Sequence, residues 1–330
     1  MSEEEFTSNQ MRPQDVDHEN RLRPESFTEY IGQKRVIQNI DLMVQSAQKR
    51  QTAMDHVLLQ GPPGLGKTSL AMLMAKSLGS ELHIVSGPAI EKKGDLAAVL
   101  TNLAPTDVLF IDEIHRLHIS VEEILYSAME DFRLDILIGQ GPSARTMQID
   151  LVPFTLIGAT TRSGLLSNPL RDRFLANLTF DFYSPEEIAL ILNQNAKKLS
   201  IQLTQDALIE MAQRSRGTPR VANRILRRVR DLAIIESREV VHSGDVLAAM
   251  ELMGIDHAGL DPMDRKILDV IRDYYNSGPV GIEALSATIG EDRQTIEEVY
   301  EPYLLKEGFL MRTPRGRMLS EKGQEHFLSD

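Results

Sequence analysis

The sequence predicts an α/β domain with a mainly parallel sheet, followed by a small all-α domain and a third unit of helices and one hairpin. Short apolar runs alternate with helical stretches over residues 31–182, a pattern typical of a parallel sheet covered by helices. Nearly continuous helical periodicity then extends to about residue 253. A chain of 330 residues also exceeds one compact core and suits two or three domains.

Four apolar runs in the first part have the length and composition of strands buried on both faces. They are HVLLQ (56–60), ELHIV (81–85), DVLFID (107–112) and FTLIGAT (154–160). Residues 1–20 are acidic and polar, with few apolar residues, which predicts a mobile tail. We therefore expect the α/β domain to span residues 21–183.

The segment SPEE marks the start of the second domain, expected at residues 184–255. Ser184 suits the N-cap, Pro185 suits the first helical position, and Glu187 completes a capping box. About four helices fit this stretch. A third unit is expected at residues 256–330, where a helix-turn-helix pattern precedes GFLMRTPRGRML, two short strands around a TPRG turn.

Composition excludes several classes of protein. The N-terminus MSEEEFTSNQ is acidic and does not fit a secretory signal, and no apolar run approaches the ~20 residues that span a bilayer. The absence of cysteine excludes disulfides, thiolate zinc sites and thiol catalysis. We therefore predict a cytoplasmic protein. Its formal charge of −12 means that any contact with DNA must come from local basic patches.

GPPGLGKT, at residues 61–68, is the strongest signal for chemistry. It matches the pattern GxxxxGK followed by Ser or Thr, and it lies between an apolar strand ending at Gln60 and a helix beginning near Lys67. The glycines let backbone N–H groups point at phosphates, the lysine reaches the β- and γ-phosphates, and the Thr68 hydroxyl can bind Mg²⁺. We therefore predict ATP and Mg²⁺ as cofactors.

A second motif, VLFIDEIH at residues 108–115, places two carboxylates at the carboxyl end of a buried strand. In such a sheet that edge lies beside the phosphate-binding loop. We predict that Asp112 holds Mg²⁺ and that Glu113 orients and activates the attacking water.

Three further segments resemble the AAA+ class of P-loop ATPases. IGATTR, at residues 157–162, is similar to the sensor-1 strand, which implies that Thr161 lies near the γ-phosphate. NPLRDRF is similar to the segment that carries an arginine finger, which implies that Arg173 enters the active site of a neighbouring subunit. A surface salt bridge is the alternative for Arg173. GTPR is similar to the sensor-2 motif, which implies that Arg220 bridges a helical lid to bound ATP.

Seven long phrases, distributed over nearly the whole chain after its tail, resemble the RuvB family of branch-migration ATPases. They are RLRPESFTEYIGQ, GPPGLGKTSLA, SGPAIEKKGDLAAVLTNL, VLFIDEIHRL, LIGATTRSGLL, RGTPRVANRILRRVRD and EPYLLKEGFLMRTPRGR. The resemblance implies a homohexameric ring around duplex DNA. It also implies that two rings flank RuvA and pull the arms of a four-way junction without reading its sequence, with RuvC as a further candidate partner.

The same resemblance assigns the nucleotide site residue by residue. Leu22, Arg23 and Tyr183 surround the adenosine, and Arg173 and Arg220 complete the site. The phosphates are held by Gly64, Gly66, Lys67, Thr68 and Ser69. One departure lies beside the finger, since family members usually have glycine where Leu175 follows Phe174 here.

Residues 131–150 predict a hairpin. Leu134, Ile136 and Ile138 alternate on one face, and GQGP supplies the turn. By pattern alone this face packs into the core. The RuvB resemblance implies instead that the hairpin protrudes and contacts RuvA, for which an exposed apolar face is suited.

The C-terminal unit resembles a winged helix. Arg312, Arg315 and Arg317 lie on the predicted wing, where guanidinium groups can bind DNA phosphates without reading sequence, and Arg293 is a further candidate. Residues 258–330 nevertheless hold nine Lys and Arg against fourteen Asp and Glu. Because many winged helices bind proteins, DNA contact at this unit follows from the family resemblance rather than from its charge.

Two other functions compete with an ATP-driven branch-migration motor. DEIH also fits a two-lobed helicase, which needs a second α/β lobe, whereas the residues after Phe182 are mostly helical. An ATP-dependent loader or transcriptional regulator would share the AAA+ core and the winged helix. Processive translocation along DNA separates a motor from such a switch.

Overall fold

A computed structural model of the chain describes residues 21–138 and 145–328. The predicted tail at residues 1–20 lies outside this part of the chain. The described residues form a large α/β domain, a helical lid domain and a C-terminal head domain with a two-stranded wing, as the sequence predicts. No helix within the described ranges is long and apolar enough to cross a membrane.

A five-stranded parallel sheet forms the centre of the large domain, in the order β2-β3-β6-β1-β7. Its strands are β1 (Val57–Gln60), β2 (Leu82–Ser86), β3 (Val108–Asp112), β6 (Thr155–Thr160) and β7 (Ala176–Thr179). Because β3, β6 and β1 are hydrogen-bonded neighbours, their carboxyl ends lie side by side. Gln60, Asp112 and Thr160 occupy those ends, so the residues that follow them converge at one edge of the sheet.

Helices cover both faces of this sheet. They are α1 (Lys34–Arg50), α2 (Lys67–Leu78), α3 (Lys93–Thr101), α4 (Ile119–Glu130) and the short α5 (Asn168–Asp172). Alternate residues of β1 enter different cores, since Val57 and Leu59 pack on the face of α1 and α2, whereas Leu58 packs on the face of α4. The apolar runs predicted as doubly buried strands therefore have that role in β1, β3 and β6.

The run at residues 81–85 is the exception. It forms β2 at one edge of the sheet, and Ile84 is 48% exposed. An edge strand has a neighbour on one side only, so its apolar composition does not secure burial on both faces. The strand β7 at the opposite edge was not among the runs that the sequence predicted.

The lid domain contains four helices in the described structure. They are α6 (Pro185–Lys198), α7 (Gln205–Gln213), α8 (Pro219–Ile235) and α9 (Ser243–Leu252), with a small β8 (Gln202–Leu203) and β9 (Val240–Val241) pair. Ser184 caps α6 and forms the predicted capping box with Glu187. Ile188 and Leu192 of α6 belong to the same apolar cluster as the sheet residues Val57 and Leu59, so lid and large domain share part of one core.

The head domain has an apolar core of its own. It consists of α10 (Pro262–Tyr275), α11 (Ile282–Ile289), α12 (Arg293–Thr295), a π-helical turn (Ile296–Tyr300), α13 (Glu301–Lys306), β10 (Leu310–Thr313), β11 (Gly316–Leu319) and α14 (Glu321–Glu325). The antiparallel β10 and β11 are the predicted wing. After residue 182 the described chain contains no second parallel sheet beyond the two-residue pair in the lid, which excludes the two-lobed helicase.

A buried ionic cluster fastens the head to the lid. Arg216, which precedes α8 and is 8% exposed, contacts Asp261 at 3.0 Å and Asp264 at 2.6 Å. Its guanidinium carbon also lies 4.7 Å from the centre of the Tyr303 ring. Removing one partner of such a buried pair leaves an uncompensated charge, so these contacts disfavour separation of head and lid.

Candidate functional site

The loop at residues 61–66 leaves the carboxyl end of β1 and leads into α2. Gly66 has a φ angle of 99°, and a Cβ there would lie 2.6 Å from the Tyr30 hydroxyl, so only glycine fits. The Lys67 Nζ donates hydrogen bonds to the carbonyl oxygens of Gly61 (2.7 Å) and Pro62 (2.8 Å). The loop thus wraps around the lysine at the N-terminus of α2, where backbone amides favour anions.

Burial sets the charge balance around Lys67. It lowers the pKa of the Lys67 ammonium to about 8, the nearby charge of Asp112 opposes this change, and that of Arg220 adds to it. Burial also raises the pKa of Asp112, while the Lys67 charge opposes that rise. A polyanion in the same place would favour the charged ammonium, because it replaces the lost water with negative oxygen atoms.

One pocket between the large domain and the lid gathers the predicted nucleotide residues except Arg173. Its lining includes Leu22, Arg23, Gly64, Gly66, Lys67, Thr68, Ser69, Asp112, Glu113, Thr161, Tyr183 and Arg220. These residues come from the N-terminal segment, the phosphate loop, the ends of β3 and β6, and the start of α8. A hydroxyl, carboxylates and cations therefore meet in one cleft, and this donor set fits a nucleotide phosphate and Mg²⁺.

The pocket also contains residues that sequence reasoning missed. Tyr30 lines it and its hydroxyl donates to the Gly66 carbonyl oxygen at 3.3 Å. Asn195 and Asn223 face it from two lid helices, joined by a 2.7 Å hydrogen bond between their side chains. Tyr30 stands in the phrase RLRPESFTEYIGQ, which was a usable signal. No spacing in the sequence marks the two asparagines, because only the folding of α6 against α8 brings them together.

Asp112 and Glu113 lie at the end of β3, at the edge that also carries the phosphate loop. Glu113 has a φ angle of 50°, an unusual conformation for a residue with a side chain and one that occurs often at functional sites. Its carboxylate contacts Arg116 at 2.9 Å, and its backbone N–H donates to Asp112 Oδ1 at 3.0 Å. Arg116 engages one carboxylate oxygen, Oε2, so the other oxygen remains available to a water molecule in the pocket.

Arg220 lies in the first turn of α8, against the phosphate loop. Its backbone N–H donates to the Gly64 carbonyl oxygen at 3.3 Å. A Cβ on Gly64 would lie 3.0 Å from the Arg220 Cβ, so the glycine permits this close approach. The lid therefore contacts the loop directly, as expected of a residue that joins the two domains.

Thr161 lines the pocket, but its hydroxyl donates to a residue of the head domain. Its partner is Glu298, with 3.0 Å between Thr161 Oγ1 and Glu298 Oε2. The adjacent Arg162 contacts Glu297 at 2.7 Å. Sequence reasoning missed both glutamates, because 135 or more residues separate them from their partners.

Arg173 lies outside the pocket of its own subunit. It contacts Glu130 at 3.1 Å, donates to the Pro169 carbonyl oxygen at 2.7 Å, and lies 4.6 Å from the centre of the Tyr126 ring. Within one subunit these contacts match the salt-bridge alternative, and a finger role requires a neighbour. Leu175 adopts no positive φ angle and is 71% exposed, so its side chain is accommodated without a glycine.

The predicted partner hairpin is formed by β4 (Arg133–Ile138) and β5 (Arg145–Asp150). Leu134 is fully buried in the core beneath α4, so its assignment to an exposed docking face was wrong. The residue lies at the base of the hairpin, where the strand still packs on the domain. The side chains of Ile136 and Ile138 lie outside the described part of the structure.

The four predicted DNA-contacting arginines have different surroundings. Arg312 makes two 2.8 Å hydrogen bonds to the buried carboxylate of Glu301, yet its side chain is 55% exposed. Arg317 is 12% exposed and contacts both Glu301 and Glu297. Arg293 contacts Glu283 and Glu297, and Arg315 is exposed on the turn of the wing. A phosphate that binds Arg317 therefore competes with two carboxylates for its guanidinium.

Comparisons with known proteins match all three domains to the same family. Family models match in order: the Holliday junction DNA helicase RuvB P-loop domain at residues 22–180, the RuvB AAA lid domain at residues 183–256 and the RuvB C-terminal winged helix domain at residues 257–328. Two curated relatives are the Holliday junction branch migration complex subunits RuvB of Kosmotoga olearia and Myxococcus xanthus. Each is 54% identical, over 96% and 97% of this chain respectively and 93% of each relative.

A solved structure of the Thermotoga maritima RuvB Holliday junction branch migration motor has the same architecture. It matches with a TM-score of 0.87 at 49% sequence identity, over 93% of this chain and 98% of that one. The similarity therefore extends over the large domain, the lid and the head, and is not confined to the phosphate loop.

Proposed function

The chain belongs to the RuvB family, and from that premise we propose that it is an ATP-driven motor subunit that promotes branch migration of Holliday junctions in DNA recombination and repair. One observation carries the proposal. The phosphate loop, the acidic pair, Thr161 and Arg220 line a single pocket, in a chain whose three domains all match the family. We also propose that the protein acts in the cytoplasm and that DNA is its binding partner.

The pocket residues would hold ATP in two groups. Leu22, Arg23 and Tyr183 would enclose the adenosine, and Tyr30 would support them. The phosphates would contact the amides at the start of α2 together with Lys67, Thr68, Ser69 and Arg220. Since Arg220 also contacts Gly64 through its backbone, a bound phosphate would tie the lid to the loop.

Hydrolysis would depend on the groups at the ends of β3 and β6. Thr68 and Asp112 would hold Mg²⁺, which supplies positive charge to the phosphate oxygens when bound. Glu113 would orient the attacking water and accept its proton. The Thr161 hydroxyl would donate a hydrogen bond to the γ-phosphate or the water.

The assembly is part of the proposal. Arg173 lies outside its own pocket, which supports a role in the pocket of the next subunit of a homohexameric ring. RuvA is the proposed partner at the tip of the β4–β5 hairpin, and RuvC is a further candidate. Since Leu134 is buried, the docking surface would begin beyond it.

Holliday-junction branch migration is the direct test. We expect the chain, with ATP, Mg²⁺ and RuvA, to move the branch point of a synthetic four-way junction whose strands are separated on a native gel. The Lys67→Ala variant should fail to do so, because it removes the charge that faces the phosphates. DNA binding and ATP hydrolysis without branch migration would indicate a loader or regulatory switch instead.

The wing should contribute to DNA binding through charge alone. We expect Arg312→Ala to weaken binding of several unrelated duplexes by a similar factor and to lower the slope of log Kd against log salt by about one. Fluorescence anisotropy over a salt series measures both quantities.

Arg238→Ala is the matched control, because this lid arginine has the same 55% side-chain exposure and lies outside the wing. It should leave the salt slope unchanged. An Arg312→Ala protein with the wild-type slope would place the DNA contact elsewhere.

A further inference from the structure

Two adjacent glutamates of the head domain contact the end of the ATPase sheet. Glu297 and Glu298, together called the carboxylate bridge, lie in the π-helical turn between α12 and α13. Arg162 contacts both, at 2.7 Å from Glu297 and 3.0 Å from Glu298, and the Thr161 hydroxyl donates a hydrogen bond to Glu298. π-Helical turns within helices occur frequently at functional sites. The bridge therefore joins the head directly to the strand that ends in the nucleotide pocket.

The other side of the bridge reaches the wing. Glu297 accepts a 2.8 Å hydrogen bond from Arg317 through the oxygen that does not face Arg162. Arg317 also contacts Glu301 at 3.0 Å, and Glu301 pairs in turn with Arg312. Consecutive ion pairs thus run from Arg162, beside the pocket, to two arginines proposed to bind DNA.

The bridge competes with both proposed ligands. A threonine hydroxyl has one proton, so Thr161 cannot donate to Glu298 and to a nucleotide phosphate at the same time. Likewise, Arg317 is 12% exposed and donates through Nε and Nη2 to Glu301 and Glu297, so a DNA phosphate competes with these carboxylates for the guanidinium. Glu297 and Glu298 are themselves only 12% and 9% exposed. Burying a carboxylate is costly unless it is paired, so both depend on their contacts with the arginines.

The head is held to the rest of the chain by two sets of contacts, and only one of them involves groups proposed to bind a ligand. Arg216 fastens head to lid through the buried Asp264 and the partly buried Asp261, whereas each partner of the carboxylate bridge has a second proposed ligand. When Thr161 turns to a phosphate, the bridge loses one of its contacts and the other side is loosened. When DNA releases Arg317 from Glu297, the bridge loses a contact on the wing side, and the contact between Glu298 and Thr161 is weakened in turn. Coupling between two binding sites is reciprocal, so both effects are expected.

We propose that the carboxylate bridge of Glu297 and Glu298 couples the γ-phosphate at Thr161 to DNA binding at Arg317, each ligand strengthening the other by removing one contact of the bridge. The inference rests on the proposed function, since it takes the wing as the DNA-binding surface. It adds a residue-level route by which the nucleotide reaches the wing.

The test uses cross effects in the full-length chain. Glu298→Gln touches no wing arginine, yet it should tighten binding of a labelled 30-base-pair duplex by about fivefold in the absence of nucleotide. Glu297 does not line the pocket, yet Glu297→Gln should tighten binding of a fluorescent ATP analogue with a γ-thiophosphate by a similar factor. Binding of fluorescent ADP, which has no γ-phosphate, should change by less than about twofold.

Glu307→Gln is the matched control, because Glu307 pairs with Lys306 and Lys322 in the head and contacts neither bridge glutamate. It removes the same charge without touching the carboxylate bridge, so affinity for the γ-thiophosphate analogue should stay at the wild-type value. Sedimentation velocity and thermal unfolding would confirm that all variants assemble and fold alike.

Tighter binding confined to the ligand nearest each substitution, or cross effects equal to those of Glu307→Gln, would overturn the coupling. Arg317→Ala separates this failure from failure of the proposed function. If it weakens DNA binding and the cross effects are absent, only the coupling is wrong. If it leaves DNA binding unchanged, the proposed role of the wing arginine is wrong as well.

Discussion

Arg173→Ala is expected to lower the rate of ATP hydrolysis by about 10³-fold or more, with nucleotide affinity little changed. The proposed reason is that the guanidinium contributes positive charge to the transition state in the pocket of the neighbouring subunit, where it contacts the ground state less. Steady-state hydrolysis and binding of a fluorescent nucleotide measure the two effects separately. Branch migration should be lost in parallel.

If Arg173 served only as a salt bridge, removing its partner would cause the same loss of hydrolysis as removing the arginine. A finger role for Arg173 predicts a different result. Glu130→Gln removes its 3.1 Å ion pair and keeps the guanidinium, so this variant should hydrolyse ATP at nearly the wild-type rate. Equal losses in both variants would show that the pair matters only for the structure of the subunit.

Mixing experiments test whether the arginine acts between subunits. Arg173→Ala has an intact phosphate loop, and Lys67→Ala has an intact finger, so a mixed ring contains complete sites at some boundaries. Hydrolysis by the mixture should exceed the sum of the separate proteins. A mixture without recovery, although sedimentation shows that mixed rings form, would contradict action in the neighbouring pocket.

Glu113→Gln is expected to lower the single-turnover hydrolysis rate by about 10² to 10⁴-fold while ATP still binds. A carboxamide has nearly the same shape, but it cannot accept the proton of the attacking water. Because the substitution leaves Lys67 and the loop intact, affinity for a fluorescent ATP analogue should stay close to that of the wild type.

Arg116→Ala is the control for this result, since Glu113 contacts Arg116 at 2.9 Å. If Glu113 served only to hold that arginine, the control would reproduce the loss. We expect the control to retain most of the activity. A Glu113→Gln protein that turns over at the wild-type rate would exclude Glu113 as the water-activating group.

Elements with strong local signals could be predicted from the sequence. The strand, glycine loop and helix at residues 57–78 lie within about twenty consecutive residues, and the capping box at Ser184 spans four. The apolar runs of β1, β3 and β6 also predicted burial on both faces, because a strand covered on both faces needs apolar residues at every position.

Predictions failed or stopped where an outcome depended on neighbours. β2 has an apolar run similar to that of β3, but its place at the edge leaves Ile84 exposed. Leu134 alternates with Ile136 and Ile138, and alternation does not show which face meets the core. The pairing of Asn195 with Asn223 required two lid helices to pack together.

The sequence by itself determined the class of chemistry and the order of the domains, because glycines, lysine and carboxylates at short spacing have few alternative uses. Only the tertiary structure decided which charges face each other. Arg162, Glu297 and Arg317 are far apart in the chain, and each alone resembles a solvated surface charge. Ion pairing depends on separations of a few ångströms and on exclusion of water, and both arise when the head packs against the ATPase domain.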